Sequence, residues 1–183
     1  MMKRKICEFL TVFLIYIIQI TLGSKMEIGG IKPNLLLILP IVFGYLNGKN
    51  EGIYVGFIAG LLYDIQASSL LGFSSLVFSL AGYLSGIFYE LFEQNNFFIP
   101  LIITFITDLL YETFSYVGNF MLHNRLDFLY FFERFIAPEC IYTASCVIIL
   151  FWPFRFLNKK FEKKERHEKR SESYVTRSPG SDS

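Results

Sequence analysis

An all-α integral membrane protein is the fold class predicted by three observations on the 183-residue chain. It is 53% hydrophobic and 18% aromatic, its mean hydropathy is +0.44, and apolar runs of helical length recur along it. That apolar share exceeds the usual share in soluble domains. The runs fall at 6–22, 33–46, 52–65, 72–91, 97–122 and 131–157. They predict about six transmembrane helices in one domain over 1–157, followed by a charged, partly disordered cytoplasmic tail over 158–183.

The first run begins with Lys3-Arg4-Lys5 and resembles a signal peptide in outline. The small-residue cleavage site is poor and five more apolar runs follow, so the segment is expected to stay as the first helix. The second and third runs are short for a hydrocarbon core of about 30 Å crossed at about 1.5 Å per residue, so both are expected to borrow flanking residues or to sit where the bilayer thins. Pro40 inside the second run predicts a kink, because proline removes a backbone donor and crowds the preceding turn.

The third and fourth runs carry small residues at helical spacing. Gly52, Gly56 and Gly60 lie along one face of the third helix, and Ser75, Ser79, Gly82 and Gly86 share an arc of about 80° on the fourth. Between helices in lipid, close backbone approach across small residues replaces the missing hydrophobic force, so the two are expected to form a tight hairpin. Asp64 stands at the outer end of the third helix. There it is expected to accept hydrogen bonds from Ser68, Ser69 or free backbone donors at the start of the fourth, with a catalytic or ion-binding role as the alternative.

The fifth run has one polar face: Thr104, Asp108, Tyr111, Glu112, Ser115 and Asn119 collapse into an arc of about 100°. A carboxyl near mid-membrane must face protein or water, or be neutralised by a proton or a partner. Glu139, Thr143 and Cys146 form a second polar line on the sixth helix, with Arg134 nearer its outer end. Glu112 and Glu139 are expected at similar depth, and Arg134 is available to one of the acids. Interhelical hydrogen bonding, a proton-sharing cluster and a site for a partner's cation are all compatible with this stripe.

Arg155 to Arg177 holds nine of the seventeen Lys and Arg residues, and the Glu162–Arg166 and Glu165–Lys169 spacings of the tail suggest a helical start. With the N-terminus inside, thirteen cations fall in cytoplasmic segments and Lys25, Lys32, Arg125 and Arg134 fall outside. The excess of cations predicts a multi-pass protein with both termini cytoplasmic. Cys7, Cys140 and Cys146 lie in apolar runs without metal-ligand spacing, and His123 and His167 have no paired nucleophile. With no phosphate-binding glycine motif either, no enzymatic activity, cofactor, metal or nucleic-acid partner is expected.

The run "GGIKPNLLLILPIVFGYLNGKNEGIYVGFIAGLLYDIQASSLLGFSSLVFSLAGYLSG" resembles the rod shape-determining MreD family. The features that carry the likeness are Pro33, Gly52, Gly56, Gly60, Asp64, Gly72, Tyr83 and Gly86, with Pro138 and Tyr142 later in the chain. Asn34 stands where the family usually has Asp, so no role of that carboxylate is carried over. The resemblance implies a non-enzymatic subunit of the bacterial cell-elongation complex in the inner membrane. Its implied partner is MreC, with MreB, a RodA-type glycosyltransferase and a class B transpeptidase in the same assembly. It also implies likeness in fold to the substrate-binding subunits of energy-coupling-factor vitamin transporters, which supplies an alternative function, small-molecule binding for transport. The first helix, "FLTVFLIYIIQITLG", is bulky where such subunits use small residues, which counts against that alternative.

Overall fold

The computed structural model describes residues 2–23, 25, 27, 31–67, 71–91, 96–120 and 132–177. They form six α-helices: α1 (Met2–Gly23), α2 (Leu35–Asn47), α3 (Lys49–Ala67), α4 (Phe73–Leu91), α5 (Phe98–Phe120) and α6 (Ala137–Arg177). A π turn over Phe132–Ile136 leads into α6. Pro138 has no N–H to close an α turn onto the Arg134 carbonyl, and the wider winding ahead of it accommodates that loss.

α2 is the centre of the bundle. Every residue from Leu35 to Leu46 is buried, while α1, α3, α4, α5 and α6 all present large apolar side chains outward, among them Phe13, Phe57, Leu80, Ile106 and Trp152. The outward apolar belt and the enclosed helix together describe a membrane protein. Two helical stretches, Phe98–Tyr116 and Phe132–Phe156, are long and apolar enough to cross a bilayer by themselves. α3 takes in Lys49, Asn50 and Glu51 beyond its apolar run, whereas α2 keeps thirteen residues, about 20 Å. A helix wrapped by other helices need not match the bilayer, which explains how α2 stays short. It also continues through Pro40 without interruption.

With no water in the hydrocarbon core, the ends of a buried helix need protein partners. α2 receives them from both neighbours in space. At its start the Gln19 side chain accepts from the Leu35 N–H at 3.0 Å and donates to the Pro33 carbonyl at 3.2 Å, and Asn34 Oδ1 accepts from the Leu37 N–H at 3.2 Å. At its end Asn158 Nδ2 donates to the Leu46 carbonyl at 3.2 Å. Asn158, where the composition turns charged, is therefore buried against α2, and α6 continues as helix to Arg177. At about 1.5 Å per residue its 41 residues span roughly 60 Å, twice the hydrocarbon thickness. The charged side chains expected to pair at 162–166 and 165–169 lie outside the described residues.

α3 and α4 pack antiparallel, in the most extensive helix contact of the molecule, and α2 lies against both. The small residues set the register: Gly52 meets Gly82, Gly56 meets Phe78 and Ser79, Gly60 meets Ser75, and Gly86 meets Gly48 and Lys49. A Cβ on Gly52 would stand 2.7 Å from the Gly82 carbonyl carbon and 2.9 Å from Gly44 Cα. Three backbones thus converge, and Gly44 of α2 is the third member. α2 passes into α3 through Gly48 alone, at φ +98°, a left-handed conformation that glycine adopts without penalty.

Candidate functional site

Most of the buried polar side chains collect toward one end of the bundle, the end reached by the last turns of α1, α3 and α5 and the first turns of α2, α4 and α6. Two connected groups make it up.

The first joins α3, α4 and α5. Asp64, almost fully buried, forks across the α3–α4 turn, its Oδ2 accepting from the Gly72 N–H at 2.7 Å and its Oδ1 from the Ser74 N–H at 3.1 Å. This fills donors at the start of α4 with a charged acceptor, the arrangement favoured at a helix N-terminus. Gly72, at φ +99°, supplies the turn. The serines 68 and 69, expected as alternative partners of Asp64, lie outside the described residues. The side chain of the same Ser74 places its hydroxyl 2.8 Å from the Tyr111 hydroxyl, which ties α4 to α5. The Tyr111 ring sits among Phe73, Phe78 and Tyr63, with centroids 5.7 to 5.8 Å away.

The second group joins α2, α5 and α6. The Asn34 N–H donates to Thr143 Oγ1 at 3.2 Å. The Thr143 hydroxyl also faces the Asp108 carboxyl. Asp108 has no exposed surface, and among the described residues neither of its oxygens has a hydrogen-bond partner. Glu112, one turn further along α5, and Glu139 of α6 lie within electrostatic range of Asp108 and of each other, and both are only half buried. Glu112 and Glu139, expected at similar depth, are thus neighbours across α5 and α6.

The rest of the polar stripe on α5 divides. Thr104 donates to the Pro100 carbonyl of its own helix at 2.8 Å, and Asn119's side chain lies outside the described residues. Arg134 is exposed on the π turn and forms no ion pair with Asp108, Glu112 or Glu139 among the described residues. Its place at the very start of the sixth helical segment, five residues before Glu139, holds it outside the helix pair. The described acids, histidines and cysteines form no group that could hold a metal ion.

Sequence reasoning missed Glu8, Gln19, Gly44 and Asn158. Glu8 is buried on α1 at the opposite end, where Asn47 Nδ2 donates to it at 3.4 Å. Glu8, Gln19 and Gly44 are single residues in apolar runs and Asn158 opens the charged tail, so none has a stripe to draw the eye. The available signal was cost: an isolated carboxyl or amide inside a membrane helix needs a protein partner.

These features define an all-helical membrane protein, assembled around one enclosed helix and a close-packed glycine hairpin. Its polar groups are spent largely on joining helices. Residues 3–161 match the family described as rod shape-determining protein MreD, and the chain belongs to that family. Rod shape-determining protein MreD of Bacillus subtilis (strain 168) is 31% identical over 136 residues, covering 73% of this chain and 77% of that protein. No solved structure matches the chain, so the expected likeness in fold to vitamin-transporter subunits has no support. Membership of the family supports a role in rod-shape determination.

Proposed function

We propose that the chain is a non-enzymatic subunit of the cell-elongation complex, which binds MreC and helps couple MreB filaments to peptidoglycan synthesis. It lies in the cytoplasmic membrane as a multi-pass protein with both termini inside. The carrying observation is the family match across residues 3–161, which takes in all six helices rather than a single motif. The fold suits such a role. A rigid glycine-packed core of α2, α3 and α4 would hold α1, α5 and α6 as fixed outward surfaces, and α6 extends far enough to leave the bilayer at the cytoplasmic side. The polar end of the bundle would then face the outer leaflet.

Affinity purification from native membranes in mild detergent tests the assignment. MreC among the copurifying proteins, and loss of rod shape on depletion of the chain, are the expected results. Recovery of paired ATPases without MreC would overturn it in favour of transport.

A further inference from the structure

Near their starts, at the end of the bundle away from Asp64 and Asp108, α1 and α3 stand apart and leave a cavity of about 210 Å³ between them. Its walls divide by chemistry. Lys5, Glu8 and Glu51 form the end nearest the first turns of both helices, and Phe9, Val12, Val55 and Ile58 line the remainder. Seven residues separate Lys5 from Val12 and Glu51 from Ile58, so the cavity runs about 10 Å along the two helices. Lys5 of α1 holds its ammonium 4.9 Å from the centroid of the Tyr54 ring on α3, which places a cation across the mouth. Glu8 is only 7% exposed, so a carboxyl is built into the wall itself.

The dimensions select the occupant. Spread along about 10 Å, this volume gives a cross-section of about 20 Å², far below the roughly 80 Å² of a helix 10 Å across. A partner helix is too wide to enter, whereas a hydrocarbon chain lying parallel to the helices is not. An apolar cavity of this size also excludes water, so hydrocarbon is its natural content.

The mouth then selects the headgroup. An ammonium has three N–H donors, so Lys5 can meet the ring and still donate to a phosphate, while the carboxylates can accept from a second ammonium. A headgroup carrying a phosphate and a primary amine satisfies both signs. An anionic glycerol headgroup would bring its charge against two carboxylates, and a trimethylammonium has no N–H to donate.

We propose that the cleft between α1 and α3 is a binding site for one phosphatidylethanolamine molecule of the leaflet at that end of the bundle. One acyl chain lies against Phe9, Val12, Val55 and Ile58, with the phosphate at Lys5 and the amine at Glu51 and Glu8. The inference goes beyond the assembly role proposed above and does not depend on it.

Native mass spectrometry of the full-length chain tests the chemistry. The detergent-purified protein is titrated with the dioleoyl forms of phosphatidylethanolamine, phosphatidylcholine and phosphatidylglycerol. Saturable uptake of one phosphatidylethanolamine is expected, about tenfold tighter than either of the others, as a charge-assisted hydrogen bond at each end of the headgroup requires. Lys5→Gln and Glu51→Gln should each weaken it about tenfold and bring the three lipids together, with an unchanged circular dichroism spectrum. Equal uptake of all three by the unaltered chain, or uptake unchanged in both variants, overturns the proposal. A photo-crosslinking residue at position 9, illuminated in native membranes, tests the occupant and decides alone if the variants do not fold. The attached mass should be that of phosphatidylethanolamine. A protein attached there, or other lipids in proportion to their abundance, overturns the proposal.

Discussion

Gly52→Ala adds one methyl group at the point where three helices touch, and its effect follows from the geometry. The new Cβ would lie 2.7 Å from the Gly82 carbonyl carbon and 2.9 Å from Gly44 Cα, and closer still to the Gly82 carbonyl oxygen. Comfortable carbon contacts begin near 3.5 Å, so α3 must withdraw from both α4 and α2 by about 1 Å. The obstructing atoms are backbone, which cannot rotate away as a side chain can. Overpacking of this kind costs about 1–3 kcal/mol, and in lipid the lost contacts are the main force holding the helices together. Unfolding by a strong detergent, followed by circular dichroism, should show the loss, while Leu80→Ala on the outward face of α4 should change little. Gly82→Ala strikes the same contact from the other side, so the double variant should cost clearly less than the sum of the two. A Gly52→Ala protein as stable as the unaltered chain, or strictly additive costs, would refute the three-helix contact.

Three further outcomes are expected. Asp64→Ala strands the Gly72 and Ser74 N–H groups and should destabilise the fold by about 1–3 kcal/mol in the same unfolding assay, with Asp64→Asn intermediate because it keeps one acceptor. Gln19→Ala uncovers the buried start of α2 and should cost about 1–3 kcal/mol, while Gln19→Glu keeps the bond to Leu35 and loses only the one to Pro33; equal losses would argue against the clamp. In a variant without native cysteines, single cysteines at 49–51 and in the tail should resist an impermeant reagent added to intact cells, whereas those at 25–32 and 123–127 should react; a labelled tail would reverse the orientation.

The α3–α4 hairpin was legible in the sequence because its information is periodic. Gly52, Gly56 and Gly60 repeat every four residues, and helical geometry alone turns that spacing into a face, so even the register against Ser75, Ser79 and Gly82 could be anticipated. Asp64 was legible for a related reason, since its partners Gly72 and Ser74 are eight and ten residues away. Gly44 was not, because one glycine in a leucine-rich helix has no face until the helix is placed. The same holds for Asn158, whose partner is 112 residues distant and whose neighbours in sequence point to solvent. The six acidic and polar positions on α5 made one line on paper, yet Thr104 turns back on its own helix while Asp108 turns toward Thr143. Periodicity says which side chains share a face, and neighbours decide what each does there.

The clamp on α2 also sets an order of events during synthesis. Gln19 is already made when Leu35 emerges, but Asn158 follows Leu46 by 112 residues. At about 5–20 residues per second, that separates them by roughly 6–22 s. Through that interval the carbonyl end of the central helix is in the membrane without its last donor. α3 and α4 can close on each other at once, whereas the centre of the bundle stays unsealed until the final helix arrives. A chain broken off between the end of α4 and Asn158 would carry every glycine contact and still present an open helix end. That makes the last helix the step at which a nascent molecule becomes distinguishable from a fragment to the proteases that survey the membrane.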